Sequence, residues 1–152
     1  KIKILEMKTI KKSIEIKASK EKVWEVLTED RYTRIWYAEF HEGSHAVTDW
    51  KVGSKAIFKG NDGNGLIAKI IKNDPTEILS MEYTGMLVNG VEDYDSDMAC
   101  GVAGGRETYI MSEKEGVTTL DVEGDMNDEM YEMMSGLWEK AFSKLKELAE
   151  QN

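Results

Sequence analysis

Cysteine and proline each occur only once in this chain of 152 residues. Its single cysteine, Cys100, excludes an intramolecular disulfide, and with it the small secreted scaffolds that disulfides hold together. We therefore expect a cytoplasmic protein. There is only one proline, Pro75, where average usage is about 5%. We find no linker or internal repeat and expect one domain over residues 1–152, with its core at about 9–150.

Long apolar runs are also missing. No segment approaches the roughly 20 apolar residues of a membrane-spanning helix. The first 25 residues are rich in lysine but lack the apolar block of a signal peptide. We expect neither a membrane span nor a signal peptide. The hydrophobic content of 41% is nevertheless sufficient for a folded core.

Basic residues are outnumbered by acidic ones, and charge is unevenly distributed along the chain. Lysine and arginine total 20 against 29 acidic residues, a net charge of −9 that argues against nucleic-acid binding over the whole surface. Eight lysines and three glutamates give residues 1–22 a charge of +5, whereas sixteen acidic and two basic residues give 74–132 a charge of −14. The acidic segment is either solvated loops and a helix start, or a face for a cation or basic partner.

The first part of the chain has the pattern of one strand followed by short helices. Alternating apolar residues predict a half-buried strand over 9–17. Ser19 can cap a helix over 20–28, and a second helical turn is expected over about 29–36.

From 44 to 123 the pattern is typical of antiparallel strands. The glycines and asparagines of 60–65 predict a hairpin loop, and 85–105 is expected to be irregular. The predicted strands cover 54–59, 66–71, 78–83, 108–112 and 117–123.

A long helix is predicted at the end of the chain. Asn127 or Asp128 can cap it. Its apolar residues fall on one face, which the predicted sheet needs as a cover. That face consists of Met130, Met134, Leu137, Ala141, Leu145 and Leu148, widened by Met133, Trp138 and Phe142.

These elements and several local strings resemble the SRPBCC superfamily, also called START-like or Bet v 1-like, over about residues 9–150. Within it, the chain is most similar to the family named after the activator of the heat-shock-protein-90 ATPase homologue. The strings are IEIKASKEKVWEVLT at 14–28, DWKVGS at 49–54, GLIAKI at 65–70, NGVED at 89–93, RETY at 106–109 and GLWEKAFSKLK at 136–146.

The resemblance implies an α+β fold of the helix-grip type. In this fold a curved antiparallel sheet, here of about six or seven strands, wraps around a long C-terminal helix, with two short helices after the first strand. The resemblance further implies a cavity between sheet and helix, but no set of catalytic residues. The chain is too short for the chaperone-binding module of the family's namesake, so we do not expect chaperone activation.

Methionines and aromatic residues are the candidates for a cavity lining. Methionine adapts to irregular shapes, and a buried tyrosine hydroxyl can orient a polar ligand atom. Arg106 is added as a candidate anchor for an anion, provided that it points inward. The alternative is that these residues only fill a core. The candidates are Trp36, Trp50, Phe58, Met81, Tyr83, Arg106, Tyr109, Met111, Met130, Met133, Met134, Leu137 and Trp138.

Three motifs suggest chemistry that the surrounding sequence does not support. His41 and His45 match H-E-x-x-H, but Gly43 disfavours the helix that a zinc protease needs. Residues 93–97 have the acidic spacing of a calcium loop, but Met98 and Gly104 replace its glycine and bidentate glutamate. Cys100 has no basic motif beside it. We expect no catalytic residue, metal or cofactor, although weak metal binding at either of the first two motifs is an open alternative.

The leading functional hypothesis is binding of a small hydrophobic or lipid-like molecule. A second is a protein-interaction or chaperone-accessory domain that uses the acidic face. A third is an enzyme of the polyketide-cyclase kind, working through Tyr83 or Tyr109. The sequence gives no indication of oligomeric state.

Overall fold

The computed structural model describes residues 7–151. Strands and helices follow the predicted order, with two short strands and one short helix in addition. The elements are β1 (Met7–Ile16), α1 (Lys20–Thr28), α2 (Asp30–Trp36), a 3-10 turn (Tyr37–Glu39), β2 (His45–Val47), β3 (Lys55–Lys59), β4 (Gly65–Asp74), β5 (Ile78–Val88), β6 (Val91–Asp93), α3 (Asp97–Val102), β7 (Arg106–Lys114), β8 (Val117–Asn127) and α4 (Asp128–Glu150).

The strands form one antiparallel sheet in the order β1-β8-β7-β5-β4-β3-β2, with β6 paired to β5. Helix α4 packs against β1, β8 and the two helices that follow β1. This arrangement confirms the α+β helix-grip fold. The described strands number eight rather than six or seven, because β2 and β6 have three residues each and are too short for a readable alternation.

The prediction of irregular structure over 85–105 is wrong, because β5 continues to Val88 and β6 and α3 follow. Gly85 argued against a strand at this position, since glycine is unfavourable inside strands. The glycine allows the Tyr94 ring to approach the β5 backbone closely, because a Cβ on residue 85 would lie 2.5 Å from that ring. A glycine is therefore needed where the segment after β6 folds back over β5.

Side-chain caps fix the starts of α1 and α4. The Ser19 hydroxyl accepts a hydrogen bond from the Lys22 backbone N–H at 3.2 Å, as predicted for α1. For α4, the Asn127 side chain accepts from the Met130 N–H at 3.0 Å, which identifies Asn127 rather than Asp128 as the cap. Each cap satisfies a donor that the helix itself leaves without a partner.

The core lies between one face of the sheet and the helices. Trp36 is buried there, and its indole N–H donates to the Val26 carbonyl at 2.9 Å. The buried face of α4 begins at Trp138, whereas Met130 and Met133 are 39% and 53% exposed. The apolar pattern of α4 therefore extends beyond the part that is covered. Among residues 7–151, no helix has both the length and the apolar character needed to cross a bilayer.

Candidate functional site

A pocket of about 310 Å³ lies between the sheet and the helices. Its walls are strands β3, β4, β5 and β7, the segment from α2 to Ser44, and the first half of α4. This volume is at the lower end of the range for small-molecule sites. The lining residues are Trp36, Tyr37, Phe40, His41, Ser44, Phe58, Gly60, Asn64, Gly65, Leu66, Tyr83, Met86, Glu107, Tyr109, Met134 and Trp138.

Aromatic rings build one side of the pocket. Trp138 of α4 contacts Phe40 with ring centroids 4.8 Å apart and Tyr109 with centroids 5.9 Å apart. Tyr37 lies 4.6 Å from Trp36, edge to face, and 6.1 Å from Phe58. Such edge-to-face and tilted contacts fix the rings relative to one another. The aromatic wall is therefore largely preformed.

A carboxyl group lies within this apolar surface. Glu107 of β7 accepts hydrogen bonds from the Tyr83 hydroxyl at 2.7 Å and from the Tyr109 hydroxyl at 2.5 Å, one on each oxygen. Tyr109 is two residues further along the same strand, so both side chains point to one face. Tyr83 comes from the neighbouring strand β5. We call Glu107, Tyr83 and Tyr109 the glutamate–tyrosine cluster.

Burial dominates the electrostatics of this cluster. Desolvation raises the pKa of Glu107, and the hydrogen bonds from Tyr109 and Tyr83 oppose that rise without cancelling it. The pKa values of Tyr83 and Tyr109 are raised far above the usual range, first by burial and then by the charge of Glu107. Glu107 is half-buried, and it lines the pocket. An incoming molecule can therefore meet its carboxyl group.

Tyr37 adds a third hydroxyl to the pocket. Burial is the main cause that raises its pKa, followed by the charge of Glu107. Within residues 7–151, no hydrogen bond to another protein group involves this hydroxyl. Among the described residues, Asn73 Oδ1 is the one fully buried side-chain polar atom without a partner, so the Tyr37 hydroxyl retains accessible surface where water or a ligand can pair with it. Tyr37 is thus a second polar contact for a bound molecule.

The exposed edge of the pocket is formed by His41 and the loop between β3 and β4. The His41 ring nitrogen Nε2 lies 3.0 Å from Asp62 of that loop. The Asn64 side chain accepts from the Asn89 N–H at 2.9 Å, which ties the loop to the β5–β6 turn. At the end of the loop, a Cβ on Gly65 would lie 1.9 Å from the Phe58 carbonyl oxygen. The hairpin is thus held tightly beside the pocket.

Some of the residues predicted from the sequence meet at this pocket. As ligand-binding residues they stay predictions, but the fold brings them together. Those that line it are Trp36, Phe58, Tyr83, Tyr109, Met134 and Trp138.

The remaining candidates lie elsewhere among the described residues. Arg106 points outward and pairs with Glu82, its Nε 3.1 Å from the carboxylate, so it does not supply the pocket with a cation. Met81 and Met111 are buried in the core, and Met130 and Met133 are exposed. Trp50 and Leu137 are partly buried and do not line the pocket. The indole N–H of Trp50 donates to the Thr28 carbonyl instead.

Glu107 and Tyr37 are polar lining residues that sequence reasoning missed. The predicted strand began one residue later, at Thr108, so Glu107 was placed outside it. Its spacing of two residues from Tyr109 was the available signal, because i and i+2 share a face of a strand. Tyr37 had no such signal, since it lies in a 3-10 turn.

The remaining motifs have local structural roles. The segment 41–45 is a turn leading into β2, and His45 Nδ1 lies 3.1 Å from the Gly43 carbonyl oxygen. Asp93 accepts hydrogen bonds from the Ser96 hydroxyl and N–H, and Ser96 in turn caps α3. Within residues 7–151, no group of three or more His, Cys, Asp or Glu side chains is arranged to hold a metal ion.

Solved structures with the same fold span most of this chain. Protein MLL2253 from Mesorhizobium loti is 17% identical with a TM-score of 0.72, covering 93% of this chain and 96% of its own. The Aha1 dimer from Colwellia psychrerythraea is 22% identical with a TM-score of 0.70, at 93% and 96% coverage. CalU16 from Micromonospora echinospora is 18% identical with a TM-score of 0.66, at 93% and 75% coverage.

Sequence comparison supplies the family. No match was found among curated proteins. The model of the family described as polyketide cyclase / dehydrase and lipid transport matches residues 7–150. The chain therefore belongs to this family, within the SRPBCC, or Bet v 1-like, superfamily.

Proposed function

We propose that the chain binds a small, largely apolar molecule in the pocket between its sheet and α4. One observation carries the proposal. Aromatic rings and methionines line most of the pocket, and a few polar groups, namely the glutamate–tyrosine cluster and the Tyr37 hydroxyl, lie together within this apolar lining. Ligand sites typically combine an apolar lining with a few convergent polar groups that fix orientation. Family membership supports the same reading, because the family description includes lipid transport.

Filling the pocket from α4 tests this proposal. Met134 lines the pocket, whereas Met133 beside it is 53% exposed. We expect a library of lipids and aromatic compounds to raise the melting temperature of the wild type. The Met134→Trp variant should bind the same compounds at least about tenfold more weakly, because the larger side chain occupies their space. Isothermal titration calorimetry gives the affinities.

Met133→Trp is the matched control, since it adds the same ring outside the pocket. It should bind like the wild type. Circular dichroism of both variants without ligand establishes that each one folds. Equal binding by the two variants, or no binding of any compound by the wild type, would contradict the proposal.

Catalysis is the second candidate function, and the glutamate–tyrosine cluster favours it. A carboxyl with a raised pKa beside two hydroxyls can exchange a proton with a bound molecule. If the chain is an enzyme of the polyketide-cyclase kind, it should change the mass or connectivity of a bound polyketide-like substrate. The Tyr83→Phe and Tyr109→Phe variants should bind that substrate without converting it. Mass spectrometry and NMR of the recovered molecule would reveal the conversion, and an unchanged molecule from the wild type would refute it.

A further inference from the structure

The charges around the pocket discriminate between classes of ligand. Glu107 is the acidic residue of its lining, and no lysine or arginine lines it among residues 7–151. His41, at the exposed edge, faces Asp62 of the β3–β4 loop. Arg106, next to Glu107 in the chain, points to the opposite face of the sheet and pairs with Glu82 there. A ligand anion would find no buried cation to neutralise it.

The hydrogen bonds of Glu107 also favour a ligand that donates a hydrogen bond. Tyr83 and Tyr109 each donate one hydrogen bond to Glu107, one to each carboxyl oxygen. A carboxylate has about four acceptor sites, so roughly two remain for further donors. Because Glu107 lines the pocket, a ligand donor can reach them.

Both protonation states of Glu107 disfavour an anion. The charged carboxylate repels a ligand carboxylate at short range in a medium of low dielectric constant. The neutral acid leaves a buried ligand anion without an opposite charge, which is also costly. A ligand ammonium group, in contrast, pairs with the carboxylate and adds charge-assisted hydrogen bonds.

We infer that the pocket selects apolar molecules whose polar end is a hydrogen-bond donor, and that it rejects fatty acids and other organic anions. Amines should bind most tightly and alcohols less tightly. This inference rests on the proposed function. Glu107 is the residue that determines this specificity. Tyr83 and Tyr109 hold its carboxyl in place. The selected class is therefore narrower than hydrophobic or lipid-like molecules in general.

A matched set of ligands tests the inference. Decylamine, decanol and decanoate share a ten-carbon chain and differ at the polar end. Isothermal titration calorimetry at neutral pH and below the micellar concentrations should give the order amine, alcohol, carboxylate, with the amine bound at least about tenfold more tightly than decanoate. The Glu107→Gln variant should lose most of that preference, because glutamine keeps the shape without the charge.

Two further variants sharpen the test. Glu82→Gln removes a carboxylate from the outer face of the sheet and should keep the wild-type order. Tyr83→Phe removes a hydrogen bond that favours the charged carboxylate, so the pKa of Glu107 rises further and the preference for the amine should decrease. Binding of decanol should change less than binding of decylamine, and this difference distinguishes charge recognition from general damage to the pocket.

The outcomes separate the inference from the proposed function. Decanoate binding as tightly as decylamine, or an unchanged preference in Glu107→Gln, would overturn the inference and leave a pocket that binds apolar molecules. Failure of the wild type to bind any of the three compounds would overturn the inference, and the same failure across the library of lipids and aromatic compounds would overturn the proposed function as well. Thermal unfolding of each variant without ligand shows that it is folded.

Discussion

Glu107 is the residue whose position has the largest chemical consequence. A buried carboxyl is unfavourable in its charged form, and two tyrosine hydroxyls compensate only in part, because its pKa remains raised. Proteins retain such groups mainly where they act on a ligand or a substrate. At the scale of single residues, the polar chemistry of this pocket thus depends on Glu107 and the tyrosines around it.

The raised pKa of Glu107 predicts how stability changes with pH. The folded protein retains this proton to a higher pH than the unfolded chain, in which the group titrates near its ordinary value of 4.5. Its contribution to stability is therefore fully present below pH 4.5 and is lost as the pH rises through the folded-state pKa. Glu107→Gln lacks this loss, so its melting temperature should rise relative to the wild type between about pH 4 and pH 8.

Differential scanning calorimetry of both proteins across this range measures the effect. The groups that face Glu107 do not obscure it. Tyr37, Tyr83 and Tyr109 have pKa values raised above 10, so they stay uncharged, and His41 is common to both proteins. A difference in melting temperature that is constant with pH would contradict the assigned burial of Glu107.

Helix α4 is the element that closes the pocket, and its stability combines local and tertiary contributions. Residues from Trp138 onward are held by the core. The first turns of α4, before Trp138, bury fewer side chains, so their helical structure depends more on the Asn127 cap. Met134, which lines the pocket, lies in these turns.

Two substitutions in α4 should change its stability in opposite directions. Asn127→Ala removes the cap and should lower the free energy of unfolding by about 1 kcal/mol. Gly136→Ala should raise it by about 0.5–1 kcal/mol, because alanine is the better helix former. Gly136 is exposed, and apart from its chain neighbours and the nearby backbone of the helix a Cβ there would meet no atom within 4 Å. Urea unfolding measures both changes; a loss of stability in Gly136→Ala would contradict this description of the helix.

At the scale of the whole molecule, the fold rearranges the charge pattern of the sequence. The basic first segment and the acidic later segment are far apart in the chain, but β1 pairs with β8. Lys8 lies 3.2 Å from Asp128, and Lys11 lies opposite Glu123 with its amine 4.0 Å away. Part of the acidic segment therefore faces cations of the same molecule. Binding of a basic partner by the acidic face stays a prediction.

These exposed ion pairs should contribute little stability, and only at low salt. The Lys8→Gln/Lys11→Gln double variant should lose about 0.5–1 kcal/mol at low ionic strength. The loss should become negligible near 1 M NaCl, where the Debye length is about 3 Å. Urea unfolding at both salt concentrations gives the two values.

Lys72→Gln/Lys140→Gln is the matched control for this experiment. It removes the same charge from exposed lysines that take part in no ion pair found among residues 7–151. It should have a smaller effect at low salt. Equal losses in the two double variants would show that net charge matters, rather than the pairing of β1 with β8.

Features that depend on neighbours in the chain could be predicted from the amino-acid sequence alone. Alternation and helical periodicity predicted β1, α1 and α4, because they reflect local geometry and one buried face. Glycines and asparagines predicted the hairpin loop at 60–65. Caps such as Ser19 act within one helical turn, so they too could be predicted. The order of elements and the local strings together resembled the SRPBCC superfamily, and that resemblance implied the helix-grip fold.

The composition of the pocket, in contrast, depends on contacts between distant parts of the chain. Arg106 and Glu107 are adjacent, and a strand turns neighbours to opposite faces, so a shift of one residue in register exchanges which of them faces inward. Tyr83 meets Glu107 because β5 pairs with β7. Whether an apolar residue of α4 is buried or exposed depends on how far along the helix the sheet and the short helices pack against it. These outcomes arise from contacts between residues distant in the chain, which local patterns do not encode.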